Sequence, residues 1–356
     1  MRVAVLLSSY EGVDSVFKDH DQVPVDVVPF APAGTDFASD IVPIVKARAR
    51  EQVQALALSG RYAAYINLCD GAPDEDRAGI EVVEALEEFG LPYTGGDPTF
   101  YTQTKEYMKA TVARAGVDTP RSVFAFDGAA VQVAAATLRF PLIVKHFNGY
   151  GSIGMTEKSR VTTPAELAEQ AGLFLQRFGG ALIEEFVEGR EFTVLVAENP
   201  DDATRPLAYM PVECHFGRGQ TFKHFELKWI DCEEIKWAQA ADAALNERIM
   251  EMGRRAFVAL DGVSYGRIDL RVDAAGTPFF LEMNPNCGIF YARPQDFGSA
   301  DHILSQDRLH GGHWGFIQTI LRAAHKRCQR SQASQPASLA ALATSDPQTA
   351  ACLVNN

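Results

Sequence analysis

No apolar run in this chain approaches the roughly 20 residues that a membrane-crossing helix needs, because Gly, Pro or a charge cuts each one short. The sequence therefore predicts no membrane span. Excess basic charge is also lacking: Lys and Arg number 33 against 46 Asp and Glu, a net charge of −13. That balance argues against non-specific binding to nucleic acid or to an anionic membrane, while leaving room for a local basic pocket. The six cysteines, at 69, 214, 232, 287, 328 and 352, form no C-x-x-C pair and no disulfide-framework spacing. They read as reduced thiols of a cytoplasmic protein, with reactivity at Cys287 as the minor alternative. Residues 1–7 are too short an apolar stretch for a signal segment and fit the first strand of a parallel sheet. No aromatic residue occurs from Arg330 onward, so that segment cannot bury enough surface to offset chain entropy, and residues 329–356 are expected to form a disordered tail. No internal repeat is present.

The remaining composition, 47% hydrophobic and 22% charged over 356 residues, is that of a globular chain with room for two or three domains. Residues 1–96 alternate short β-branched runs, at 3–7, 25–30, 63–68 and 91–94, with helical periodicity at 41–58 and 81–89. This pattern predicts a parallel sheet faced by helices. A helix is expected from Asp97-Pro98 to Ala115, then strands at 123–126, 181–185, 192–197, 207–212, 265–272 and 278–283, with helices at 129–138, 164–178 and 240–260. The chain thus changes from α/β to α+β organisation near Gly96. His310-Gly-Gly-His313 resembles a metal pair but has no further ligand nearby, and reads as a turn leading into a helix.

The most informative stretch is 141–155, a short buried strand ending at Lys145 and followed by a glycine loop. Gly149, Gly151 and Gly154 have the G-x-G-x-x-G spacing of a dinucleotide-binding turn. That turn works only if a helix follows to supply its N-terminal N–H groups. The next helix signal is instead Thr163-Pro164-Ala165-Glu166, so the glycines link two strands as a flap suited to close over phosphates beside Lys145.

A second stretch joins residues 266–270 to 279–286 through a turn at 273–276. Side chains two apart on a strand share a face, which places Arg267 with Asp269 and Glu282 with Asn284 on one side of a hairpin. Asp, Glu and Asn offer the hard oxygens that magnesium takes when it bridges nucleotide phosphates, and an adjacent arginine can stabilise negative charge in a transition state. Residues 182–193 end a strand in acids, and could hold a nucleobase edge and ribose hydroxyls or be no more than an exposed connection. The acids of the 70–76 loop could select an amine or cap the following helix.

In order, Lys105, Lys145 with its flap, Glu184-Glu-Phe-Val187, Glu191, Gly-Arg-Ile-Asp269 and Leu-Glu282-x-Asn284 resemble the ATP-grasp enzymes, and among them the D-alanine–D-alanine ligases, over about residues 62–288. The resemblance implies an ATP-grasp fold with an N-terminal Rossmann-like, pre-ATP-grasp domain: 1–96, then 97–180 with the flap, 181–328 as the catalytic part, and the tail. It implies that Lys105 and Lys145 bind ATP phosphates beneath the flap that includes Gly151 and Ser152. Glu184, Glu185, Phe186 and Val187 would hold adenine, Glu191 the ribose, and Phe222 and Leu281 would sandwich the base. Lys228 would be a further phosphate-side lysine and Arg267 would face the transition state. Asp269, Glu282 and Asn284 would carry two Mg2+ ions, with Mn2+ as a substitute. The implied reaction joins a small-molecule carboxylate to an amine, such as an amino acid or small peptide, through an acyl phosphate with release of ADP. The family also suggests a homodimer.

Gly151 and Trp229 stand where these ligases carry a serine and a tyrosine, and the ending Glu282-Met-Asn284-Pro-Asn-Cys-Gly288 differs from theirs. The first loop lacks their glycine-rich turn. The nucleotide half is thus kept and the acceptor half rewritten, which favours a bulkier or aromatic-contacting substrate over D-alanine. The alternatives are an authentic D-alanine–D-alanine ligase with an atypical pocket and, below it, a silent nucleotide-binding scaffold.

Overall fold

The computed structural model describes residues 1–15, 17, 18, 23–72 and 75–334. Strands β1 (Arg2–Ser8), β2 (Ala38–Ile44), β3 (Ala64–Asn67) and β4 (Tyr93–Thr94) form a parallel sheet in the order β2-β1-β3-β4. Helices α1 (Ala49–Leu58) and α2 (Ile80–Glu88) cover one face, where Leu6, Ile44, Val53, Tyr65, Val83 and Leu86 are buried together. The other face is covered by the far end of the chain. Val3, Val5, Ala64 and Ile66 pack with Tyr265, Phe290, Phe316 and Ile320.

After α3 (Pro98–Tyr101) and α4 (Lys105–Arg114) comes a second sheet, β5 (Ser122–Ala125), β6 (Leu142–His146), β7 (Arg160–Val161) and β8 (Ala181–Glu185), in the antiparallel order β5-β8-β6-β7. Helices α5 (Gly128–Thr137) and α6 (Pro164–Phe178) bury Val131, Leu167, Ala171 and Phe174 against it. The start of α6 is as the sequence predicts. Thr163 caps the Glu166 N–H, while Glu166 reaches one residue further back, to Thr162.

The third sheet contains β9 (Arg190–Ala197), β10 (Leu207–Ala208), β11 (Val212–His215), then, after the short α7 (Phe225–Trp229), β12 (Lys236–Gln239), and, after α8 (Ala243–Ala259), β13 (Tyr265–Val272) and β14 (Pro278–Asn284). It runs β12-β11-β9-β13-β14, with β10 on β9. Helices α9 (Ser299–Gln306) and α10 (Gly312–Ser334) close the described chain.

Several expectations are corrected. Residues 25–30 are not a strand, since Pro24 and Pro29 supply no N–H to a ladder. Val25 makes only an isolated bridge to Tyr291 and a 3-10 turn follows at Val28–Phe30. The strand is instead Ala38–Ile44, which overlaps the start of the expected helix 41–58, and its Pro43 is tolerated because β2 is an edge. The single helix expected over 98–115 is two, because Asp97 and Thr104 each act as an N-cap, to Phe100 N at 2.8 Å and Tyr107 N at 3.2 Å. This makes Lys105 the first residue of α4. Residues 329–334, expected in the tail, continue α10, where Arg327 and Arg330 both pair with Glu198. The rest of the expected tail lies outside the described residues.

His313 enters α10 and bonds the buried Asp301 at 3.0 Å, and Asp307 accepts from the N–H groups of His310 and Gly312. The pair is therefore a helix start, as read, and no cluster of His, Cys, Asp and Glu suited to a metal occurs among the described residues. Cys69, Cys214 and Cys287 are buried free thiols. Burial pushes the Cys287 thiol up to about 12, which favours the structural reading over a reactive one. No described helix is long and apolar enough to cross a membrane.

Candidate active site

The β13–β14 hairpin has the register that the alternation requires: Arg267 lies opposite Asn284, and Asp269 opposite Glu282. A bulge after Asp269 leaves Leu281 unpaired between Glu282 and Phe280, and Leu281 lines the cleft together with Phe222. Asp269 accepts from Thr193 Oγ1 at 2.9 Å and from the Arg267 guanidinium at 2.9 and 3.2 Å. Burial works to raise its carboxyl, but Arg267, Lys223 and Lys228 outweigh it and hold the pKa well below the usual range. Glu282 is also held low, with burial opposed chiefly by Lys105, which donates to it.

Beside the hairpin, Glu184 at the end of β8 is 1% exposed and paired with Lys109 Nζ at 2.6 Å and with Lys145 Nζ. Burial would raise this carboxyl, yet the two ammonium groups hold it at about 2. The main chain after it is partly engaged: Glu185 N–H donates to Arg121 O and Phe186 N–H to Pro141 O, each at 2.9 Å. Glu185 is turned to Arg139, at 3.1 Å, and Arg121, at 3.4 Å. Glu191 on β9 is held by Arg271 at 2.8 Å and Lys223 at 3.0 Å. Arg271 also donates to the carbonyls of Val187, Gly189 and Thr221, so one buried guanidinium ties the 187–189 connection to the segment carrying Phe222.

The glycines do link two strands, β6 and β7, although a 3-10 turn at Glu157–Ser159 occupies part of the segment expected to be extended. The flap is folded down. The Gly149, Ile153 and Met155 N–H groups bond within the loop, Ser152 Oγ donates to Lys223 O at 2.9 Å, and Trp229 Nε1 donates to Gly151 O at 2.8 Å. Asn148 Oδ1 takes the Lys105 N–H at 3.0 Å, fixing the start of α4 against the flap. Tyr150 OH donates to Glu75 and accepts from Arg77, a guanidinium 2% exposed that also pairs with Asp70 at 2.9 Å. Asp70 and Glu75 of the 70–76 loop therefore engage Arg77 rather than capping α2; Pro73 and Asp74 lie outside the described residues.

No expected site residue is left elsewhere. Lys105, Lys145, Ser152, residues 184–187, Glu191, Phe222, Lys228, Asp269, Leu281 and Glu282 line one cleft. Gly151, Arg267 and Asn284 line an adjoining cavity of 1020 Å³, and Lys105, Lys228 and Glu282 border both. Sequence reasoning missed Lys109, Lys223 and Arg271. Lys109 is one helical turn after Lys105, and Arg271 continues the alternation of Arg267 and Asp269, so both had a periodicity signal. Lys223 had none.

Lys105, Lys109, Lys145, Lys223, Lys228, Arg267 and Arg271 outnumber Glu184, Glu191, Asp269 and Glu282 across this region. A chain of strongly negative net charge thus keeps a positive interior suited to a polyanion.

Comparison with known proteins places this geometry. The family model described as D-ala D-ala ligase C-terminus matches residues 120–292. A D-alanine–D-alanine ligase of Oleidesulfovibrio alaskensis is 32% identical over 226 residues, covering 62% of this chain and 68% of that protein. The chain belongs to the D-alanine–D-alanine ligase family. Another relative is the uncharacterized protein y4sG of Sinorhizobium fredii, 27% identical over 267 residues, 73% of this chain and 74% of that one. The fold is the ATP-grasp fold of this family: a crystal structure of the D-alanine–D-alanine ligase from Bacillus anthracis complexed with ATP superposes with a TM-score of 0.62 at 17% identity, covering 93% of this chain and 99% of that one.

Proposed function

We propose that the protein is an ADP-forming ligase that uses ATP and magnesium to join a carboxylate to an amine. The observation that carries this reading is the border between cleft and cavity, where Lys105, Lys228 and the cross-strand pair Asp269 and Glu282 meet with Arg267. A γ-phosphate lying at that border would have cations on its nucleotide side and open volume on the other, from which an acid can approach. Lys145 and Lys105 would hold the phosphates, Glu184 would fix Lys109 and Lys145 in place, and the Phe186–Val187 main chain with Phe222 and Leu281 would hold the base. Glu191, anchored by Arg271, would take ribose hydroxyls.

The donor set fits a hard divalent cation: two carboxylates kept ionised on facing strand positions, with the Asn284 amide next to them. Asp269, Glu282 and Asn284 would hold magnesium, which when bound neutralises phosphate charge. Arg267, 2.9 Å from Asp269, is positioned to stabilise the charge that develops as the acyl group is transferred. The buried free thiols fit the reducing cytoplasm.

The test is ADP release. It should require both an acid and an amine, and Glu282→Ala should remove it while the melting temperature stays close to that of the parent; unchanged release would sink the assignment. A second reading, an authentic D-alanine–D-alanine ligase, is favoured by the names of relatives, and release that proceeds with D-alanine as both acid and amine would establish it.

A further inference from the structure

The two positions that depart from the family's serine and tyrosine touch each other, since the Trp229 indole N–H is bonded to the Gly151 carbonyl. Gly151 has φ of +65°, and a Cβ there would lie 2.9 Å from two ring atoms of Phe17. Phe17, 1% exposed, fills the place a side chain at 151 would take. Its ring lies 5.1 Å from Trp229 and stacks on Tyr150 at 5.5 Å. Any side chain at 151 would have to displace the Phe17 ring. The result is an aromatic wall where the flap meets the cavity, and Trp237, Tyr291 and Phe297 line that cavity as well.

Charge around this wall points the same way. Lys228 Nζ lies 5.6 Å from the Trp229 ring centroid, and Arg267 and Lys223 also border the cavity. Of the acids lining the cavity, Asp70 and Glu75 are taken by Arg77, Glu282 by Lys105 and Asp296 by Arg293, while Glu233 lies along it as well. Lys228, Lys223 and Arg267 thus offer cations to a carboxylate held near this wall. The volume, 1020 Å³, is at the upper end for a drug-sized ligand.

Resting on the ligase reading above, we infer that the acid activated here is an aryl-substituted carboxylic acid, its carboxylate at Lys228 and Arg267 and its ring against Trp229, which Phe17 backs from within. A carboxylate oxygen bonds to the γ-phosphorus of ATP while the bond from that phosphorus to the β,γ-bridging oxygen breaks, and ADP leaves with the electron pair. The amine nitrogen then bonds to the acyl carbon, inorganic phosphate leaves, and the nitrogen's proton passes to solvent.

Hydroxylamine as the amine isolates acid selectivity, because the acyl phosphate becomes a hydroxamate whatever the natural amine is. The full-length protein with ATP and magnesium is given 3-phenylpropionate, D-phenylalanine or D-alanine. The expected kcat/KM for 3-phenylpropionate and for D-phenylalanine is at least tenfold above that for D-alanine. Trp229→Leu should raise KM for the aryl acid about tenfold with KM for ATP unchanged, and Trp229→Phe, which keeps a ring, should restore most of the loss. Equal or better use of D-alanine overturns the substrate class and leaves the ligase reading standing, as does a Trp229→Leu enzyme with unaltered KM for the acid. ATP binding by calorimetry without hydroxamate or ADP from any acid overturns the ligase reading, and this inference with it.

Discussion

Asp269 and Glu282 are cross-strand partners on β13 and β14, and each carboxylate is kept ionised by cations from elsewhere in the fold, Asp269 chiefly by Arg267 and Glu282 by Lys105. Two negative groups this close persist only with such counter-charge. Removal of divalent metal should therefore stop ADP release, and added Mg2+ should restore it. Asp269→Asn is expected to lower kcat by about 10²-fold or more, the scale of losing one charge-stabilising group in a reaction site. A steady-state ADP assay before and after chelation checks both.

Glu184 lies between Lys109 and Lys145 in a setting where none of the three is more than 15% exposed. Glu184→Gln would leave two ammonium groups without a counter-charge and is expected to cost roughly 3–5 kcal/mol of stability. Adding Lys109→Met should recover part of that loss. A denaturant titration of the parent, both single variants and the double would show whether the coupling exists; additive effects would argue against it. The carboxyl is depressed from 4.5 to about 2, so this contribution is complete above pH 4.5 and lost as pH falls through about 2.

Lys228 behaves in the opposite sense. Burial, with Arg267 and Lys223 nearby, pushes its ammonium down from 10.5 to about 8. It is charged below that value and neutral above it, so kcat/KM for hydroxamate formation should fall above pH 8, and Lys228→Arg should move the fall to higher pH. On stability the sign reverses. Between pH 8 and 10.5 the unfolded chain binds the extra proton, and the folded state gains stability as pH rises. Lys228→Met should thus raise Tm at pH 7 by about 2 °C while removing activity.

Tyr150 bridges the flap to Glu75 and Arg77 of the N-terminal part. Tyr150→Phe keeps the ring on Phe17 and deletes both hydrogen bonds, which should free the flap without unfolding the protein. The expected effect is a several-fold increase in KM for ATP and faster proteolytic cleavage within residues 147–155. Parent-like values for both would show that the contact does not hold the flap.

How much of this was legible follows from periodicity. Strands Tyr265–Val272 and Ala181–Glu185 and helix Pro164–Phe178 are where their apolar pattern and caps place them, and the alternation of Arg267 with Asp269 and of Glu282 with Asn284 sets one polar face on the hairpin. The first sheet was read less well, because Val25–Phe30 has strand composition but two prolines, and Ala38–Ile44 has a proline that an edge position permits. The break before Lys105 depended on Thr104 capping in competition with helix continuation.

By itself, then, the sequence determined the ordered set of lysines, acids and glycines and the family that carries it, since these are properties of local spacing. Only the tertiary structure decided what meets what. It set Glu184 on two lysines rather than on open solvent, used Arg271 to fasten three carbonyls, and drove Phe17 into the space above Gly151. Those pairings join residues from separate sheets and loops. They are selected by desolvation and close packing, which act only once the chain has brought the partners together.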